Sequence, residues 1–403
     1  MLAFLQSLLQ MVWKTVTDQP SPKSLFLSHV PEEWRPLVSA FLSVLPIVMV
    51  FPMLFALTTV VERKGLGRIQ NRPGPNRVGP AGFLQFAADG IKAIIKEDVV
   101  PRAADRVVHF IAPLVLVVPV LLSYSVLPFG RNLVPIDLDT GLLFFFAVGA
   151  VTELAVFMAG WSSRNKYSLL GATRAIAQMI SYEIPLILSA LTVVMVVGTL
   201  SLPAIAEAQG PAPGGWLCRW HFFTPWGFAG FWLFLVAACA EANRSPFDLP
   251  EGESEIIAGY YLEYSGFKFA LFFLGEYLGL FAASGLGITL FLGGWHAPFA
   301  FLEGWIPGWV WFLGKLVALI LLFIWVRGTL PRVRMDQLMN FAWKFMLPLT
   351  LVNMLGAGLW HFLTNPIARW GLPAVLIGGA YVVLGRGLMP RSRVGPRVYR
   401  YAD

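Results

Sequence analysis

Residues 41–61 read FLSVLPIVMVFPMLFALTTVV, twenty-one residues without a single charge. A bilayer's hydrocarbon core takes about 20 apolar residues of helix, so this stretch predicts a membrane span. Runs of the same texture recur near 107–127, 141–161, 178–199, 226–242, 267–291, 308–327 and 343–363, with a weaker ninth near 371–386. The composition agrees: 57% of the 403 residues are apolar before glycine is counted, and only 13% are charged, roughly half the share of a soluble domain. So little charge cannot clothe a soluble globule of this length, and a chain this apolar cannot stay solvated as a disordered one. The expected fold is an all-α polytopic membrane protein.

Lys and Arg collect in alternate connections, which sets the order of sides. With the first span ending inside, the inner segments 61–107, 161–175, 241–268, 327–344 and the tail after 385 hold 23 of the 30 bases, against six in the outer segments. The ninth span is needed to bring the tail arginines, Arg386 to Arg400, to the inner side. The net charge of +7 is thus a topological signal, and no basic patch interleaved with aromatics suggests nucleic acid. Leu2 to Val16 is apolar but short, carries Lys14 and runs into a Pro- and Ser-rich stretch; it predicts an interfacial helix or a short extra span. Cys218 and Cys239 are the only cysteines, too few for the four thiolates of an iron–sulfur cluster. The five histidines are scattered singly, which argues against paired haem ligands.

Two inner segments are more than connections. The first contains Pro73, Pro75 and Pro80 with Gly74, Gly79 and Gly82, which forbid a helix and impose a turning path. Beyond Pro80, Phe83, Phe86, Ala87, Ile91, Ile94 and Ile95 repeat at helical spacing opposite Gln85, Asp89, Lys92 and Lys96. That pattern predicts an amphipathic helix over 81–96 lying in the interface. It serves either as a surface anchor or as the doorway of a lipid-soluble ligand. The second, from Glu241 to Glu263, carries six acids (Glu241, Asp248, Glu251, Glu253, Glu255 and Glu263) against one base, Arg244. Capping of a helix near Pro250 accounts for Asp248, Glu251 and Glu253; it does not need Glu255 or Glu263. Within the spans lie Glu153, Glu183, Glu276 and Lys315. Ionisable groups at membrane depth usually mark proton or ion paths, the plain alternative being a structural ion pair of Lys315 with a glutamate.

Long strings of this chain, among them ERKGLGRIQNRPGPNRVGPAGFLQFAADGIKAIIKED (62–98), SSRNKYSLLGATRAIAQMISYE (162–183) and EANRSPFDLPEGESEIIAGYYLEY (241–264), resemble the H-type membrane subunits of bacterial NADH-quinone oxidoreductases, counterparts of mitochondrial complex I subunit 1. The resemblance covers roughly 41–365. It leaves residues 1–40 as an N-terminal extension and 366–403 as an extra span with a basic tail. It implies eight core transmembrane helices around a long cavity, plus the interfacial helix and the ninth, C-terminal span. It also implies a multi-pass subunit of the bacterial cytoplasmic membrane, with inner loops and tail cytoplasmic. Its partners would be hydrophilic iron–sulfur and quinone-site subunits and antiporter-like membrane subunits. The substrate would be a quinone, ubiquinone or menaquinone, with iron–sulfur clusters and FMN in partner subunits and no cofactor or metal bound by this chain. By the same resemblance, quinone meets Glu62, Arg63, Phe83, Phe86, Arg244 and Phe247. The acids Glu241, Asp248, Glu251, Glu253, Glu255 and Glu263 then connect to a relay through Glu153, Glu183 and Glu276. No departure from the family's pattern occurs at these positions. The alternatives are a homologous subunit of a membrane-bound hydrogenase-type complex, a stand-alone ion transporter, for which no internal repeat is found, or an anchor for a peripheral arm.

Overall fold

The computed structural model describes residues 30–131, 133–211, 218–249, 257, 259–302 and 306–388. Expectations for residues 1–29, for Glu251, Glu253 and Glu255, and for the tail after 388 lie outside the described residues. Helix α1 spans Arg35–Ile69, longer at both ends than the uncharged run. It continues through Glu62 and Arg63 because nothing in ERKGLGRI breaks a helix, and it stops where Asn71 takes a left-handed φ of 56°. The turn that follows folds back onto α1: a Cβ on Gly74 would sit 2.8 Å from the Lys64 Cα, so only glycine fits. The amphipathic helix α2 is shorter than expected, Gln85–Ile95.

The remaining helices are α3 (Arg106–Ser123), α4 (Gly141–Gly149), α5 (Val151–Ser162), α6 (Lys166–Val197), α7 (Leu202–Glu207), α8 (Pro225–Glu241), α9 (Gly266–Phe291) and α10 (Gly308–Thr329). Then come α11 (Met335–Phe341), a π-helical turn (Ala342–Met346), α12 (Leu347–Phe362) and α13 (Pro366–Leu388). The third span is interrupted at Ala150, between α4 and α5. Pro185 sits inside an unbroken α6, so the helix absorbs it instead of opening there. Side chains cap the starts: Asp105 accepts from the Val107 and Val108 amides, and Asn165 from that of Tyr167.

Among the described residues, eight helical stretches are long and apolar enough to cross a membrane, and Pro225–Glu241 is a shorter apolar helix at the remaining expected span. All nine expected spans are therefore helical, and no β-strand occurs among the described residues. The chain is an all-helical, multi-pass membrane protein. Of the eight longer stretches, α9 is the most enclosed, whereas α1 and α13 lie at the periphery with their apolar side chains largely uncovered.

Alternate connections meet at the same end of the bundle. At the base-rich end, the Val99 amide donates to Ser265 Oγ at 2.8 Å, the Asp105 amide to the Ser162 carbonyl at 3.0 Å, and the Val333 amide to the Pro246 carbonyl at 3.1 Å. At the opposite end, the Leu142 amide donates to the Leu200 carbonyl at 3.1 Å and the Cys218 amide to that of Pro298 at 3.3 Å. Lys315 belongs to this end. Its Nζ donates to the carbonyls of Leu292, Gly294 and His296 at 2.6, 2.9 and 2.7 Å, closing the C-terminus of α9 where helix carbonyls lack partners.

Candidate functional site

Two sites stand back to back on α9, because adjacent helical residues point about 100° apart. Tyr277 faces a small pocket, and Glu276 faces a larger one.

The smaller site is a charge cluster near the base-rich end. Glu62, from the late turns of α1, is 5% exposed. The Tyr277 hydroxyl donates to its Oε2 and the Arg327 guanidinium to its Oε1. Arg244 follows α8; its Nη1 lies 3.6 Å from Glu62 Oε1, and its guanidinium carbon lies 3.7 Å above the Tyr277 ring. Burial works against the Arg244 charge, but Tyr277, Glu62 and Glu276 outweigh it and hold the guanidinium above the ordinary arginine range. Its Nε and Nη2 are buried without a hydrogen-bond partner among the described residues. Arg244 lines a small cavity with Thr58, Leu280, Ile320 and Phe323, apolar walls with a few convergent polar groups.

The larger cavity is lined by Glu241, Glu276, Asn243, Thr152 and Tyr260 among apolar neighbours that include Leu116, Phe145 and Met179. The Tyr260 hydroxyl donates to Glu276 Oε1 at 2.8 Å. Glu241 Oε2 is buried without a hydrogen-bond partner among the described residues. Glu153 and Glu183 meet carboxyl to carboxyl, and the fields of both reach Glu241. Glu276 in turn acts on Arg244. The acids scattered along four helices are therefore linked in series: Glu276 beside the charge cluster, then Glu241, then Glu183 with Glu153.

Other expected residues take different places. Arg63 pairs with Asp89 at 2.5 Å and ties α1 to α2. Phe83 and Phe86 meet edge to face at 5.9 Å, with Phe83 half exposed. Phe247 packs on Tyr182 at 5.6 Å, and its carbonyl accepts from Gln178 Nε2 at 2.7 Å. None of these four lines either cavity among the described residues. Asp248 receives Arg332 Nη2 at 3.4 Å, and Glu263 Oε1 accepts from Asn165 Nδ2 at 2.6 Å.

Sequence reading missed Tyr277, Arg327 and Gln178. Arg327 counted only as a topological charge at a span's end, and Tyr277 is an ordinary aromatic until α9 is seen to divide two cavities. Gln178 is fully buried and donates to the Ala240 and Phe247 carbonyls, both at 2.7 Å. It fixes the turn that carries Arg244; a glutamine inside an apolar run was the available signal.

A family model described as NADH dehydrogenase matches residues 42–358. The chain is 51% identical over 294 residues to the H-type membrane subunit of NADH-quinone oxidoreductase from Dehalococcoides mccartyi, covering 73% of this chain and 79% of that protein. It is 47% identical over 346 residues to the protein of that name from Carboxydothermus hydrogenoformans, covering 84% and 95%. The Geobacillus kaustophilus protein of the same name is 51% identical over 296 residues, 73% of this chain and 86% of its own length. With its matched region embracing every residue that lines the two cavities, the chain belongs to the NADH dehydrogenase family, that of the H-type membrane subunits of NADH-quinone oxidoreductase.

Proposed function

We propose that this membrane subunit of the multi-subunit NADH-quinone oxidoreductase forms the chamber in which quinone is reduced, and that it couples the reduction to proton translocation through its buried acids. The observation that carries the reading is Arg244, which lines one cavity, keeps two buried donors without partners among the described residues, and is acted on by Glu276 at the wall of the other. A quinone carbonyl is an acceptor that such donors suit, and the apolar wall suits the ring.

Electrons come from a redox centre in a partner subunit, since two cysteines cannot hold a cluster here. Reducing a quinone to a quinol takes two electrons and two protons. As negative charge grows on the quinone oxygen, Arg244 is drawn toward it and its hold on Glu62 and Glu276 changes. Carboxyl groups that meet, as Glu153 and Glu183 do, can hold one proton between them and pass it on. The basic connections support a cytoplasmic position for the charge-cluster end of the bundle in a bacterial cytoplasmic membrane. There the hydrophilic subunits dock, and the antiporter-like subunits lie alongside in the bilayer.

The test uses the assembled complex in membrane vesicles. Arg244→Met should raise the KM for quinone at least tenfold in complex of normal subunit content. Glu241→Gln should depress proton translocation together with quinone reduction. Ordinary KM in the first variant removes the chamber; full translocation in the second removes the coupling.

A further inference from the structure

His109 has no part in either cavity, yet it is a fully enclosed ionisable side chain near the base-rich end. It occupies the first turn of α3, has no exposed surface, and stacks face to face on Tyr264 at 3.9 Å with ring planes 6° apart. Neither ring nitrogen has a hydrogen-bond partner among the described residues. A buried imidazole calls for an explanation, since an apolar ring of the same shape would serve the stack alone.

Three charged groups act on it. Lys268 on α9, Asp98 in the connection before α3, and Glu263 all act on the ring, and the Glu263 backbone lies within its reach. Lys268 and Asp98 pair at 2.6 Å, with Asp98 half exposed, so this cluster reaches the surface. At the same end, the Tyr264 hydroxyl meets Ser162 Oγ at 3.2 Å. Burial pushes the Tyr264 hydroxyl up to about 12, so it keeps its proton at neutral pH. Four residues earlier in the same short segment, Tyr260 bonds Glu276 at the cavity wall. On α3 itself, the face of His109 continues through Ala112, without exposed surface, to Leu116, which lines the cavity about 10 Å farther along the axis.

We propose that His109 is a proton-loading group, taking protons from water at the base-rich end and delivering them to the cavity that holds Glu276 and Glu241. A ring nitrogen of neutral His109 takes a proton beside Asp98 and Glu263. The imidazolium releases it inward, past Tyr264 and Tyr260, to the Glu276 carboxylate, and the imidazole returns to neutral. Histidine suits the task because its ordinary pKa lies near working pH. This inference rests on the coupling reading above, and it adds a route of proton entry separate from the quinone chamber.

The experiment compares His109→Phe, His109→Gln and Tyr264→Phe in the assembled complex in vesicles, with Glu241→Gln alongside. Proton translocation per NADH and quinone reductase rate are followed from pH 6 to 9. Phenylalanine keeps the stack and the volume, so a packing role predicts that His109→Phe is benign and His109→Gln harmful. Proton loading predicts that both fail alike. Without the carrier, uptake depends on free hydronium, so translocation should fall about tenfold per pH unit on the alkaline limb while remaining near normal at pH 6. Tyr264→Phe, which keeps the ring and loses the hydroxyl, should move the limb in the same direction, and it decides the matter if His109→Phe does not assemble. A wild-type pH profile in His109→Phe, or in Tyr264→Phe where that variant decides, overturns the inference. Impairment of Glu241→Gln in the same series shows that the coupling reading stands apart from it; normal translocation in Glu241→Gln brings down that reading itself.

Discussion

Replacing Tyr277 with phenylalanine isolates one bond in the charge cluster. The ring that lies 3.7 Å beneath the Arg244 guanidinium is retained, and only the hydroxyl that donates to Glu62 Oε2 is lost. Glu62 is almost fully buried, so no water replaces the donor. A hydrogen bond to a charged group contributes about 1.5–3 kcal/mol. If that bond holds Glu62, and through it Arg244, in the arrangement that receives quinone, its loss should slow quinone reduction about 10- to 150-fold. Tyr277→Leu should do worse, because it also removes the cation–π contact, worth about 2 kcal/mol where water is excluded. The assay is NADH:quinone reductase activity in membranes. Oxidation of NADH by an artificial acceptor that bypasses quinone reports how much complex has assembled. Normal quinone turnover in Tyr277→Phe would refute the reasoning, as would a loss no larger than the loss of assembled complex.

Three further outcomes are expected. Lys315→Met leaves three carbonyls at the end of α9 without their cation; it should destabilise the fold by about 2–4 kcal/mol, seen as a lower temperature of release from solubilised complex, with quinone KM unchanged. Gly171→Ala would place a Cβ 2.6 Å from the Gly259 Cα. It should cost about 1–3 kcal/mol and, by lifting Tyr260 from Glu276, reduce proton translocation more than quinone binding in the same vesicles. His221 has its Nδ1 at 2.8 Å from the Leu290 carbonyl, and burial holds its pKa below the ordinary histidine range. The unfolded chain therefore takes up a proton more readily than the folded one. The stability this contributes is complete above about pH 6.5 and is lost as the pH falls. His221→Gln should flatten that acid limb in thermal melts run from pH 5 to 8.

The spans were legible because hydropathy over some twenty residues is a local property that the bilayer reads directly. Their ends were less so. The first helix runs on to Ile69 and carries Glu62 and Arg63 with it, because charge at a membrane surface does not end a helix. The acids were legible as anomalies, single carboxyls at apolar depth. Their order, Glu276, Glu241, then Glu183 and Glu153, depends on how α5, α6, α8 and α9 pack.

By itself, the chain's order of residues determined that it crosses a membrane, which connections gather at one end, and which ionisable groups are out of place. Only the tertiary structure decided what those groups face. Glu276 and Tyr277 are neighbours in sequence, yet a helical step of about 100° turns them into different cavities. Glu62 and Arg327, 265 positions apart, meet in one ion pair. Local composition states that a charge is buried, but its partner is set by the packing of distant helices, and with it whether the charge braces the fold or handles a proton.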